Sequence, residues 1–472
     1  MPLPGSSGRS LSHQDFVYFD YFRRTTAPST DSIIPSNFWS EVLLQLAHTE
    51  PAIWHATNAL GALHRRWELE SAGMEVDGLI HNATTHYGKA LSLAKDLNSP
   101  AKILALSLPL IASANMLGFW DESHIHILSA FKILAQDSGR TPDAQRMAST
   151  LTRMDIQSLT FGDVRTPYPY AEAAALRSIN QAMINTDASI KSYSQASSTI
   201  FALVRQVTIN YEIFFDGSID EATYNSMFRE LLEKTEQLER QLAKFEAEDV
   251  RLGNESAAIV IRIYHCWLRT VFKCTLDGLE SRFDRHLGFL QRLITLSYAV
   301  MKQQHAPTSL QLSLEPALVA PLFGTANRCR HPALRRHGLK LLKEMNRHEG
   351  MWRSDGAALI VEEIIAIEEK GERGGGAGYD DEMLAGCKNY CALHAVQDEA
   401  LAVSWDAWSS EGYEPPTNYS WLEIRPIPEE RRVKAVMAAW RFESREMDIE
   451  FKMSSPNPEQ RYGSSNYVTI KV

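Results

Sequence analysis

The chain has 472 residues, 44% of them hydrophobic and 22% charged, with a formal net charge of -10. That length exceeds one small core and suits one large helical assembly or two to three domains, and the acidic balance excludes a protein that coats nucleic acid over its whole surface. Five cysteines in so long a chain make no disulfide framework, and the opening MPLPGSSGRS has no apolar run after a basic start, so the expectation is an intracellular chain without a secretory signal.

Residues 1–14 are polar and are expected to be disordered, with the helical region running from 15 to 407. Pro51 suits a first helical turn, and Ile53, Ala56, Leu60, Leu63 and Trp67 follow at three- and four-residue steps. His86 to Leu97 reads as a further helix. Ile103 to Trp120 carries no charge and approaches the length of a membrane span, yet it holds Ser107, Pro109, Ser113 and Asn115 and has no counterpart elsewhere in the chain. It therefore reads as a buried core helix rather than a membrane segment. Helical periodicity continues in Asp121 to Gln136, Tyr170 to Ile184, Ser218 to Glu248, Glu255 to Leu276, Leu287 to Gln303 and Ser354 to Lys370. Gly, Pro, Asn and Ser clusters separate these stretches, and no fixed-period repeat is visible.

Gly371 to Gly378 (GERGGGAG) cannot sustain a helix and reads as a flexible loop. Residues 408–472 form a proline-containing connection followed by a small β-element. Pro415, Pro416, Pro426 and Pro428 keep Trp408 to Pro428 extended or turning, while Met447 to Met453 and Tyr467 to Val472 alternate as strands do. Arg431 to Phe442 suits either a strand or a helix. The predicted fold is all-α, a stacked antiparallel helical array with a small C-terminal β-element packed on it.

No residue stands out as catalytic or cofactor-binding. The phosphate-binding loop, the H-E-x-x-H zinc motif and the G-x-S-x-G elbow are missing, and the glycines at 374–378 open no apolar helix. Asp380 and Asp381 have no second acidic motif to share magnesium with. Cys387, Cys391 and His394 would share one face of a helix, as a zinc site needs, but structural zinc takes four ligands and no fourth is evident, so no metal site is assigned. Cys266 and Cys274 lie in an apolar helix and read as core. The sharpest charge feature is Arg328 to Arg347, with Arg328, Arg330, Arg335, Arg336, Lys340, Lys343 and Arg347 opposed only by Glu344. Arg336, Lys340, Lys343 and Arg347 fit one helical face and Leu334, Leu341, Leu342 and Met345 the other. Such a face suits phosphates, but Glu362, Glu363, Glu368 and Glu369 in the next helix favour pairing within the chain.

Four blocks, in order, resemble the regulatory domain of fungal binuclear zinc-cluster transcription factors. The first is Tyr21 to His64, with Phe22, Arg23, Thr26, Ala27 and Pro28, then Phe38 and Trp39, then Gln45, His48, Glu50, Pro51 and Ala52, then Leu60, Gly61, Leu63 and His64. The second is His86 to Ala90 (HYGKA), the third Met154 to Tyr170 (MDIQSLTFGDVRTPYPY), and the fourth lies within Leu322 to Glu369 (CRHPALRRHGLKLLKEMNRHEGMW). The resemblance implies a nuclear regulator of transcription, often of metabolic gene clusters, with protein partners and no catalytic residues. Trp39, Trp54, Trp67 and Trp352 would anchor its helix packing. Family members also begin with six cysteines that hold two zinc ions and read DNA. Here the first cysteine is Cys266, so direct DNA binding is doubtful and influence on transcription is expected to pass through a partner. The competing expectations are a cytoplasmic helical scaffold and an enzyme of secondary metabolism.

Overall fold

The computed structural model describes residues 13–74, 76, 78–136, 142–161, 184, 189–248, 255–274, 278–304, 310–369, 405–408, 413–415, 417, 419–420, 426–441, 446–457 and 460–471. The predicted loop at Gly371 to Gly378, nearly all of the predicted helix Tyr170 to Ile184 and residues 1–12 of the stretch 1–14 expected to be disordered lie outside them, while His13 and Gln14 begin a helix.

Helix α1 (His13–Tyr21) passes through a π-turn (Phe22–Thr26) into α2 (Ala27–Thr30), and a second π-turn (Phe38–Val42) leads into α3 (Leu43–Ala47). Pro51 opens α4 (Pro51–Ser71), where its missing N–H is one of those the first turn leaves without a helical partner. From Ala52 to His64 every residue of α4 is buried, so this helix is the centre of a core rather than a surface helix. Gly61 lets α1 cross it: a Cβ there would lie 2.1 Å from the carbonyl oxygen of Tyr18. Helix α5 (Leu79–Leu93) starts earlier than the periodicity of His86 to Leu97 suggests, because Gly78, at φ +82°, turns the chain directly into it. The uncharged stretch forms most of α6 (Pro100–Leu117), which is largely buried, and this accounts for its apolar composition. Helices α7 (Trp120–Gln136) and α8 (Pro142–Phe161) complete the first hydrophobic cluster, with Phe22, Trp39, Leu60, Ile111, Phe131 and Leu151 near its middle.

A second cluster is built by α9 (Tyr193–Phe215), α10 (Glu221–Glu246), α11 (Ser256–Lys273) and α12 (Leu287–Gln303). Ser192 and Asp220 start α9 and α10 by accepting from the backbone N–H of Gln195 and Thr223, which is why α10 begins later than the predicted Ser218. The chain then forms β1 (Gln311–Ser313), α13 (Val319–Arg328), α14 (Pro332–Glu344), β2 (Arg347–Glu349), β3 (Trp352–Arg353) and α15 (Ser354–Glu368). Strand β1 pairs parallel with β2, and β2 antiparallel with β3. This short sheet was not predicted, because strands of two or three residues carry no readable period.

A short helix, α16 (Trp405–Trp408), buries both tryptophans against His265 of α11. Pro415 then crosses α12 so closely that a Cβ on Gly288 would sit 2.0 Å from its carbonyl oxygen. Strands β4 (Val433–Arg441), β5 (Glu446–Met453) and β6 (Ser465–Lys471) form an antiparallel sheet, and the ambiguous Arg431 to Phe442 is thus mainly strand. In β5 burial alternates strictly, placing Met447, Ile449, Phe451 and Met453 in the second cluster. The architecture is mostly helical with the C-terminal sheet packed on the helices, as predicted.

Candidate functional site

Several of the motif residues are held by buried polar contacts. Trp39 donates its indole N–H to Glu315 at 2.8 Å, and the Arg153 guanidinium lies 2.6 Å from the other oxygen of that carboxylate. Burial raises the Glu315 pKa against the opposing pull of Arg153 and Trp39. Two residues along α8, Asp155 pairs with Arg205 of α9, both almost fully enclosed. Gln157 packs against Gly350 so tightly that a Cβ on that glycine, at φ +56°, would fall 1.9 Å from the amide oxygen. Glu349 accepts the backbone N–H groups of Ala317, Leu318 and Val319 at the start of α13, where a carboxylate also complements the helix dipole. Thr26 and His64 meet at 2.9 Å, and burial lowers the His64 pKa to about 4. These contacts fasten elements to one another.

The basic stretch divides into three roles. Arg330 and Arg335 are fully buried on Glu368, whose carboxylate also accepts the backbone N–H of Val433 and so ties β4 to the helices. Burial alone would raise the Glu368 pKa, but the two guanidiniums bring it below the ordinary value. On the surface, Arg336 reaches Glu369 at 2.7 Å, Lys343 pairs with Glu362, and Lys340 lies 3.6 Å from Glu344. Arg347 departs from the expected basic face. Helix α14 ends at Glu344, Asn346 takes a positive φ of 45°, and Arg347 enters β2 buried against Glu349. Cys387, Cys391, His394, Asp380 and Asp381 lie outside the described residues, and among those described no group of three metal-ligating side chains is found. Cys266 is core, as expected; Cys274 is only half-buried and lines the cleft described next.

A cleft of about 180 Å³ lies where α8, α9, α10, α11 and α13 converge under β4. Its walls are aromatic: Tyr211 and Phe215 from α9, Tyr224 and Phe228 from α10, Tyr264 and Trp267 from α11. Phe323 and Trp352 stand 5.0 Å apart on another side, and Trp352 donates to the Thr160 hydroxyl at 3.3 Å. Arg282 donates to the Tyr211 hydroxyl at 2.9 Å, Arg328 lies 5.7 Å from the Trp267 ring, and Arg461 pairs with Glu212 at 2.5 Å. Lys434 of β4 donates to the carbonyl of Gly278 at 2.7 Å. Among the described residues four cations and two carboxylates, Glu212 and Glu280, line the cleft, and Glu280 is already engaged by buried Arg330. The cleft is therefore apolar in its walls and positive at its β4 side. The Tyr264 hydroxyl has no hydrogen-bond partner among the described residues, although the side chain is buried. Burial holds its phenol well above the ordinary value of 10.0, so it remains a neutral donor.

Sequence reasoning missed this cleft. The aromatic pairs at four-residue spacing on α9 and α10 were visible, but such stripes read equally well as core.

A family model described as the fungal specific transcription factor domain matches residues 17–364. No curated protein and no solved structure matches the chain.

Proposed function

The chain belongs to the fungal specific transcription factor domain family, and from that premise we propose that it acts in the nucleus as a regulator of transcription, controlling a metabolic or biosynthetic gene cluster. The observation that carries this reading is the family match across 17–364, together with motif residues that fasten helices and strands instead of converging on a reactive centre. The regulatory domain is assigned to 15–407, and residues 408–472 brace it through the sheet. Its work is binding rather than catalysis, without a cofactor.

DNA contact, in this proposal, passes through a partner protein that itself binds DNA, with this chain contributing protein contacts. The surface cations of α14 support that division, since Arg336 and Lys343 have acidic partners on the α15 side. The test is to tag the protein in its source organism, isolate nuclei and identify what travels with it, then measure transcripts after deleting its gene. Recovery from nuclei with a DNA-binding protein, and altered transcripts from a set of neighbouring genes, is the expected result. A protein confined to the cytoplasm whose deletion changes no transcript overturns the reading and favours a scaffold.

A further inference from the structure

We propose that the cleft beneath β4 binds a small organic anion, a flat body of one or two fused rings bearing a carboxylate and a second polar group. That such a molecule is the effector of the regulator rests on the transcriptional reading; its binding does not.

The size of the body follows from the space. A cavity of about 150 Å³ accepts benzene, and this cleft, at about 180 Å³, has room for little more than a bicyclic core. Its flatness follows from the walls, which present ring faces and edges from three helices. Gly324 is part of that shape: a Cβ there would come within 3.1 Å of the Trp267 ring, so the residue is small where the indole lies. An aliphatic chain would leave such slots partly empty, whereas an aromatic ring fills them.

The charge follows from Lys434. Its ammonium is half-buried and donates to a backbone carbonyl, and no carboxylate lies within ion-pair distance of it among the described residues. Glu280 attracts it most strongly, Arg282 and Arg461 repel it, and Glu429 adds a weaker attraction. A ligand carboxylate beside Lys434 would offset the repulsion from Arg282 and Arg461 and use ammonium N–H groups that the single carbonyl leaves over. The second polar group follows from Tyr264. A buried hydroxyl without a partner is costly, and this one belongs to a residue that lines the cleft. A ligand hydroxyl or carbonyl on the far ring would accept its proton. Lys434 enters from the sheet and Tyr264 from α11, so the two polar ends of the ligand are held by different elements.

The test is calorimetric titration of the purified full chain with four probes: 6-hydroxy-2-naphthoate, 2-naphthoate, 2-naphthamide and 2-naphthylmethylamine. The hydroxynaphthoate should bind tightest, the naphthoate about fivefold more weakly, the neutral amide about tenfold more weakly again, and the amine least of all. This ranking needs no variant and so is independent of any folding defect. Lys434→Gln should reduce naphthoate affinity about tenfold while leaving the amide within about twofold. Tyr264→Phe should erase the advantage of the hydroxynaphthoate, and Thr208→Trp, which fills the cleft, should abolish binding of all four. Equal affinity for acid, amide and amine, or full binding by Thr208→Trp, overturns the proposal. The titration involves no transcription, so its failure leaves the regulatory reading standing, and unchanged transcripts in the deletion strain would do the reverse.

Discussion

Replacing Gly61 by alanine sets two physical effects of opposite sign against each other. Helix propensity favours alanine over an interior glycine by about 1 kcal/mol. Packing opposes it: the new methyl would sit 2.1 Å from the Tyr18 carbonyl oxygen and 3.3 Å from the Phe22 backbone nitrogen, atoms of the main chain that cannot rotate away. The first helix must then lift by roughly 1 Å, loosening the enclosed Phe22 ring and the contact of Thr26 with His64. Overpacking of this kind costs about 3 kcal/mol, and the net effect should be a loss of about 2 kcal/mol. Gly88 is the internal control, since it lies within α5 with nothing inside 4 Å of a Cβ added there. Gly88→Ala should stabilise by about 0.5–1 kcal/mol. Urea unfolding followed by circular dichroism measures both. A Gly61→Ala protein as stable as the parent, or more stable, would refute the close crossing of α1 over α4.

Glu368→Gln should destabilise the fold by about 3–5 kcal/mol in the same assay, because two buried guanidiniums lose their shared counter-charge. Acid should destabilise the protein before its carboxylates titrate. His64 falls from 6.5 to about 4 on folding, so the unfolded chain takes up the proton first; stability is complete above pH 6.5 and declines toward pH 4, by about 3 kcal/mol for this group. His348, lowered to about 3, adds a loss of the same sign, and Glu368, below its ordinary 4.5, adds another as pH falls through its folded value. Melting temperatures measured from pH 8 to 5 should therefore fall monotonically, and His64→Gln should flatten the slope. Neutralising Arg336, Lys340 and Lys343 together should leave affinity for duplex DNA at near-physiological salt unchanged and cost under about 1 kcal/mol per pair in stability; steep salt-dependent binding that the triple variant weakens would reverse the assignment.

Much of the helical order was legible because apolar residues recur at helical steps and stops are marked by Gly, Pro, Asn and Ser. The α4 start at Pro51, the full span of α12 and the alternation in β5 all follow from such local signals. Arg347 was misplaced because helical spacing continues past Glu344 in the sequence, while the left-handed Asn346 ends the helix and the parallel pairing with β1 captures the next residues. That pairing joins residues 36 apart, Gln311 with Arg347, and no local pattern announces it. Arg336 and Lys343 pair with the acidic helix as expected, whereas Lys340 lies by Glu344 of its own helix, and the buried part of the stretch was not foreseen. Arg330 and Arg335 look like surface cations until the fold encloses Glu368 between them. The cleft was invisible for a related reason. Its lining comes from five helices and the C-terminal sheet, and each aromatic residue taken alone is indistinguishable from core.

Chromatin immunoprecipitation of the tagged protein, with and without the proposed partner, decides whether this chain regulates transcription through that partner. Enrichment is expected at the promoters of a defined gene set and should disappear when the co-purifying DNA-binding protein is deleted. Absence of the protein from chromatin in both strains would overturn regulation through a partner.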